Sequence, residues 1–255
     1  MKRILFLSGT KGGTGKTTVA LNTAVLLAYL WRDAAAYPVV FLDLTPNVGT
    51  AALVLMGDPL ATWGRPSLSD FFAGRLGDPL RGFYMRRWNT EKGAFQVVFA
   101  YLGQDTPVAR RQLEQVLNAV ETRLRPRALF IDTPPLSANT PVAGLVDYVV
   151  PVVTPDVSAI ETTKSYLGVV GGRRLKPILN MYIPEYPVST VHSAPWDAVV
   201  EKALGERPHL VPFDKLLQAA RQALEVEVLK LRLSESPAVK AIIEYARYLA
   251  GAIET

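Results

Sequence analysis

Short apolar runs and amphipathic stretches alternate along the chain. Residues 2–8, 39–42, 95–101, 128–132, 146–153 and, more briefly, 176–179 are dominated by aliphatic and aromatic side chains. That is the pattern of strands covered on both faces of a parallel sheet. Between them, residues 19–30 repeat Ala20, Leu21, Ala24, Leu27 and Ala28 at helical spacing, with Trp31 continuing the face. Thr106 and Pro107 read as the cap and first residue of a helix running to about 124, with Leu113, Val116, Leu117 and Val120 inward. Shorter helices are expected from Ser67, after Thr154-Pro155-Asp156, over 196–204, near Lys215, and from Ser236-Pro237 to about 253. The proline-rich segment 182–195 reads as a loop. Strands alternating with helices predict an α/β fold: a mostly parallel twisted sheet with helices on both faces, a three-layer sandwich. No repeat or linker divides the chain, so residues 1–255 are expected to form a single domain.

One stretch does not fit either periodicity. Residues 9–18 read Gly-Thr-Lys-Gly-Gly-Thr-Gly-Lys-Thr-Thr and join the first strand to the first helix. A glycine-rich turn opening a helix offers free backbone N–H groups and the positive end of the helix dipole, a site for phosphate. Gly12, Gly13, Thr14, Gly15, Lys16, Thr17 and Thr18 form the expected cradle, with Lys16 reaching the outer phosphates and the Thr17 hydroxyl available to a magnesium ion. Two apolar strands end in acids, Asp43 and Asp132, at the edge where open α/β sheets collect their ligands.

Composition narrows the chemistry. The chain has 255 residues, 49% of them hydrophobic, and no apolar run long enough to span a membrane. It has no cysteine and only two histidines, His192 and His209, which excludes disulfides and cysteine-held zinc or iron–sulfur clusters and argues against a histidine metal site. A net charge of +5 and a pI near 9.4 permit a polyanionic partner. Arg75, Arg81, Arg86, Arg87 and Lys92 interleave with Phe83, Tyr84 and Trp88, a mixture that suits nucleic acid or a solvated connection whose aromatics pack on the domain.

Lys-Gly-Gly-Thr-Gly-Lys-Thr-Thr, with Lys11 at its head and Thr10 where a strict pattern has glycine, resembles the deviant Walker A signature of the ParA/MinD family of P-loop ATPases. The wider class includes the nitrogenase iron protein and iron–sulfur scaffold ATPases, from which the missing cysteines separate this chain. The resemblance spans Lys2 to about Gly251 and implies ATP and Mg²⁺ as cofactors. It also implies a face-to-face homodimer in the ATP state, with Lys11 crossing to the partner's nucleotide. Asp43-Leu44-Thr45-Pro46-Asn47 is similar to the family's first switch, usually Asp-x-Asp-Pro-Gln. Asp43 matches the first acid. Thr45 replaces the second, and since a threonine is no general base near neutral pH, weak turnover is expected. Ala128 to Pro135 resembles the Walker B strand and second switch. Lys11, Lys16 and Asp43 are thereby implied as catalytic, and Thr17, Asp43 and Asp132 as the metal shell. Thr154-Pro155-Asp156-Val157-Ser158 looks like a segment of MinD-like proteins.

Asn180 is similar to the family's adenine reader, though it could equally end its strand. Val211-Pro212-Phe213-Asp214 resembles the element whose backbone lines the adenine pocket, which implies Pro212 and Asp214. The leading expectation is a cytoplasmic, nucleoid-associated ATPase of ParA-like DNA segregation, with non-specific DNA and an ATPase-stimulating protein as partners. The alternatives are a nucleotide-gated dimerisation module with negligible hydrolysis, and a MinD-like organiser at a membrane or surface assembly. A membrane partner is disfavoured because the last helix reads as packed on its own domain.

Overall fold

The computed structural model of the chain describes residues 1–10, 12–34, 36–135, 140–230 and 235–254. Its strands are β1 (Lys2–Leu7), β2 (Val39–Asp43), β3 (Phe83–Thr90), β4 (Gly93–Tyr101), β5 (Ala128–Asp132), β6 (Tyr148–Val153), β7 (Arg173–Arg174), β8 (Ile178–Tyr182), β9 (Val188–Ser189), β10 (Ala194–Pro195) and β11 (His209–Pro212). The helices are α1 (Lys16–Leu30), α2 (Thr50–Met56), α3 (Leu68–Phe72), α4 (Arg110–Ala119), α5 (Val157–Val170), α6 (Trp196–Leu204), α7 (Lys215–Gln222), α8 (Glu227–Lys230) and α9 (Pro237–Glu254).

The main sheet runs β11-β8-β6-β1-β5-β2-β4-β3, with β7 also pairing on β6. Its pairings are parallel except that of β3 with β4. Alternate residues of β1 serve opposite faces, as the pleat requires. Ile4 and Phe6 join a core with α1, α2 and α9, whereas Leu5 and Leu7 join one with α4, α5 and α6. The expected mostly parallel sheet between two helical layers is the fold observed. The last helix packs on this domain, burying Val239, Ile242, Tyr245, Leu249 and Ile253. Among the described residues no helix is long and apolar enough to cross a membrane.

The local departures have physical causes. The basic, aromatic stretch expected as a connection is instead the antiparallel edge strand β3. Tyr84 and Trp88 point inward, with Trp88 stacked 5.1 Å from Phe95 and Tyr84 5.9 Å from Phe99. Met85 and Arg87 face solvent between them, so the period of two is there, but Arg86, on the face of Tyr84 and Trp88 and lying over the Trp88 ring, disguises it. Helix α4 starts at Arg110 rather than at Pro107, because Thr106 and Val108 turn to face Pro134 and Pro135 across a groove. Its last turn, 120–124, widens to a π-helical one that Arg125 closes in the left-handed region at φ 52°. Most of 182–195 is loop, but β9 and β10 pair within it as a short ribbon. Helix α2 carries no sequence expectation, being only about two turns long and without a polar cap.

Candidate functional site

Leaving β1, the chain runs through Ser8 and Gly9 directly under α5. The Gly9 N–H donates to Thr163 Oγ1 at 2.9 Å, and a Cβ on Gly9 would overlap the Thr162 side chain and lie 2.7 Å from the Thr163 nitrogen. Only glycine lets the helix approach so closely. Gly13 and Gly15 then adopt left-handed conformations, φ 80° and 75°, and Gly15 caps α1, which begins at Lys16 rather than at Val19. The first-turn N–H groups of α1 thus point into the loop, as an anion site needs.

Asn180 is the middle residue of β8, which runs on to Tyr182 instead of ending at 179. Its Nδ2 donates to the Thr14 carbonyl at 2.8 Å and occupies the space beside Gly15 that a Cβ would need. In the ligand-free molecule it is therefore a brace for the phosphate loop. Pro212 ends β11, and Asp214 accepts from the Leu216 N–H at 2.8 Å to cap α7. The other Asp214 oxygen is taken by Ser236, so any contribution of this residue to a base pocket comes through its backbone. Lys11 lies outside the described residues.

The acids meet at the strand ends. Asp43 and Asp132 are register partners on β2 and β5, and both are buried. Lys16 Nζ donates to Asp132 and to the Thr133 carbonyl, while Thr17 Oγ1 donates to the second Asp132 oxygen at 2.6 Å. Asp43 accepts from the Thr45 and Ala52 N–H groups, each at 3.1 Å, and from the Thr45 hydroxyl. Burial first, and the negative charge of Asp132 second, push the Asp43 carboxyl up to about 6. A Cβ at Gly49 would collide with this carboxylate, so the turn before α2 is held to glycine by contact.

A cavity of about 140 Å³ opens between the loop, Thr45, and the Thr133–Pro135 turn. Pro212 and Asp214 do not border it. The Thr133 hydroxyl, on its rim, is buried and has no hydrogen-bond partner in the ligand-free molecule, a polar atom left over for a ligand. Among the described residues no group of three or more acids or histidines gathers to hold a metal by itself. The donors present, one hydroxyl and two carboxyls, are all oxygen and fit a hard cation whose shell is completed by phosphate and water.

Sequence reasoning missed two bordering residues, Ser8 and Arg221. Ser8 could have been found as the residue between strand and glycine. Arg221 could not, because it reaches the loop from α7 across the fold.

No protein-family model matches the chain, and no curated protein sequence matches it. Solved structures do. MinD of Pyrococcus horikoshii, solved with Mg-ADP, superposes with a TM-score of 0.72 at 24% identity over 99% of this chain and 98% of that one. The MinC:MinD complex of Aquifex aeolicus gives 0.72 at 20% identity, covering 98% and 96%. A ParA family ATPase of Chlorobium tepidum gives 0.65 at 16%, covering 97% and 98%. The fold is that of MinD and ParA. In this MinD/ParA fold the chain places its phosphate loop at the start of α1 and its two acids on the adjoining strands.

Proposed function

We propose that this chain is an ATP-binding, Mg²⁺-dependent ATPase that dimerises on ATP and acts as a spatial switch, in the manner of ParA-like DNA segregation. The observation that carries the reading is the convergence of Lys16, Thr17 and Asp132 at the N-terminus of α1. Loop N–H groups and Lys16 hold the phosphates, and Thr17, Asp43 and Asp132 would hold Mg²⁺, which when bound offsets charge on the phosphoryl group. Lys16 is paired with Asp132, so binding phosphate would have the lysine exchange a carboxylate for a phosphate oxygen. Lys11 serves as the contact to the partner's nucleotide. MinD of Aquifex aeolicus forms a complex with MinC, and an ATPase-stimulating protein is proposed here too. The site of action is the cytoplasm, at the nucleoid, and the pI near 9.4 supports DNA as the surface.

A second reading, a nucleotide-gated dimerisation module with negligible turnover, is favoured by Thr45. Its hydroxyl donates to Asp43 and offers no base to an attacking water. Titration calorimetry with Mg·ATP is expected to show binding by the wild type and loss of it in Lys16→Ala. Light scattering should show the mass doubling with Mg·ATP and not with Mg·ADP. Phosphate release is expected to be slow and to rise in Thr45→Asp. Brisk wild-type hydrolysis would remove the module reading, and failure to shift DNA at low salt with ATP would remove the segregation reading.

A further inference from the structure

Arg221 stands near the end of α7, more than two hundred residues after the phosphate loop, yet it borders the loop cavity together with Gly12, Gly15, Lys16 and Thr17. Its Nη1 donates to Thr18 Oγ1 at 2.7 Å and its Nη2 to Thr50 Oγ1 at 3.4 Å. Among the described residues no carboxylate forms an ion pair with it. The other cation described on this cavity, Lys16, is already answered by Asp132. Among the described residues this half-buried guanidinium hydrogen-bonds two neutral hydroxyls, and at the mouth of a turn built for anions it has capacity for a charged acceptor.

The position is also fixed from both sides. Asp214 caps α7 and is itself held by Ser236. Beyond Arg221, the chain is tied back to α1 by the buried Asn22, whose amide donates to Glu227 at 2.6 Å and accepts from the Val228 N–H at 3.0 Å. Glu227, whose charge interacts with the Arg221 guanidinium without forming an ion pair with it, is hydrogen-bonded to Asn22. Helix α7 is anchored to the same helix that begins with the phosphate loop, which removes much of the entropy cost of aiming a long side chain.

We propose that Arg221 is a second cationic ligand of the nucleotide's phosphate chain, supplied by the molecule's own α7. The assignment rests on the ATP-binding reading above and adds to it a residue outside the glycine-rich loop and the two acids. A guanidinium there exchanges hydroxyl partners for phosphate oxygens, with no covalent step.

The test is calorimetry of Mg·ATP and of inorganic tripolyphosphate against wild type, Arg221→Ala and Arg221→Lys. Loss of a charge-assisted contact predicts roughly tenfold or greater weakening of both ligands in Arg221→Ala, since such contacts contribute on the order of 1.5–3 kcal/mol. Partial recovery is expected in Arg221→Lys, which keeps the charge without the fork. The dependence of affinity on salt should also become shallower in Arg221→Ala. A purely structural clamp between α1, α2 and α7 would lower the melting temperature of the ligand-free protein and leave tripolyphosphate affinity and its salt dependence unchanged, and that result overturns the proposal. So does a loss confined to ATP, which would place the arginine on base or ribose. Should Arg221→Ala fail to fold, Arg221→Gln is read in the same way, because it keeps a donor for Thr18 and lacks the charge. Wild-type protein that binds no ATP would sink the nucleotide reading itself, whereas wild-type binding with unaffected Arg221 variants sinks only this assignment.

Discussion

Asp43 carries an electrostatic load that the ligand-free fold does not relieve. Its carboxyl titrates near 3.8 in an unfolded chain and near 6 in the fold, so between those values the folded form binds more protons. Stability contributed at this position is therefore fully present below pH 4 and falls as the pH rises through 6. Replacing it with asparagine, which stays neutral, should stabilise the variant relative to wild type by about 2 kcal/mol more at pH 7.5 than at pH 4.5, from the part of the shift titrated between those values and 1.36 kcal/mol per pKa unit. Urea unfolding of both proteins at the two pH values measures this. Because it is a difference, it cancels His209, whose burial lowers its pKa, and Glu227, whose burial raises its own. A constant difference across pH would mean that neither burial nor Asp132 raises the Asp43 carboxyl in the fold. The phosphate loop, Asp43 and Asp132 were legible in the chain because strand ends and glycine spacing are local signals. The bracing role of Asn180 was not, since its partner, the Thr14 carbonyl, is far away in sequence.

At the scale of elements, the pairing of α1 with α8 is the tie most exposed to a single change. Asn22 is fully buried and its amide serves both the Glu227 carboxylate and the Val228 backbone. Asn22→Ala leaves that acid buried without its donor and an N–H without its acceptor, which should cost about 2 kcal/mol or more of unfolding free energy by urea titration. An unchanged midpoint would show that water replaces the amide. The main strands and long helices could be read from periodicity because burial repeats at the element's own period. Strand β3 could not, because a charged Arg86 sits between Tyr84 and Trp88 on the inward face and breaks the apolar alternation. Helix α2, held partly by the Asp43 carboxylate accepting from Ala52, has no pattern of its own to read.

For the whole molecule, the three layers put every part of the site at one edge of the sheet, the carboxyl ends of β1, β2 and β5. Strand order could not be read from the chain, since parallel neighbours such as β1 and β5 are separated by three other strands in sequence. An assembly that shares nucleotide must meet across that edge. Charge reversal at Arg87, on the opposite flank, is expected to leave the Mg·ATP-dependent doubling of mass unchanged in light scattering. Loss of the dimer in Arg87→Glu would put the contact elsewhere.

Strand β3 also settles what the molecule does not do with its sheet. It is the outermost strand at its end, and its exposed Met85, Arg86 and Arg87 stand where a neighbouring chain would have to lay a strand alongside. Arg86 and Arg87 place one guanidinium on each face of this edge strand, which makes that approach costly, because a second copy would bring its own pair against them. The row of open peptide groups along this border is thus guarded by like charge. Open-ended strand pairing between copies of the chain is thereby disfavoured along this border.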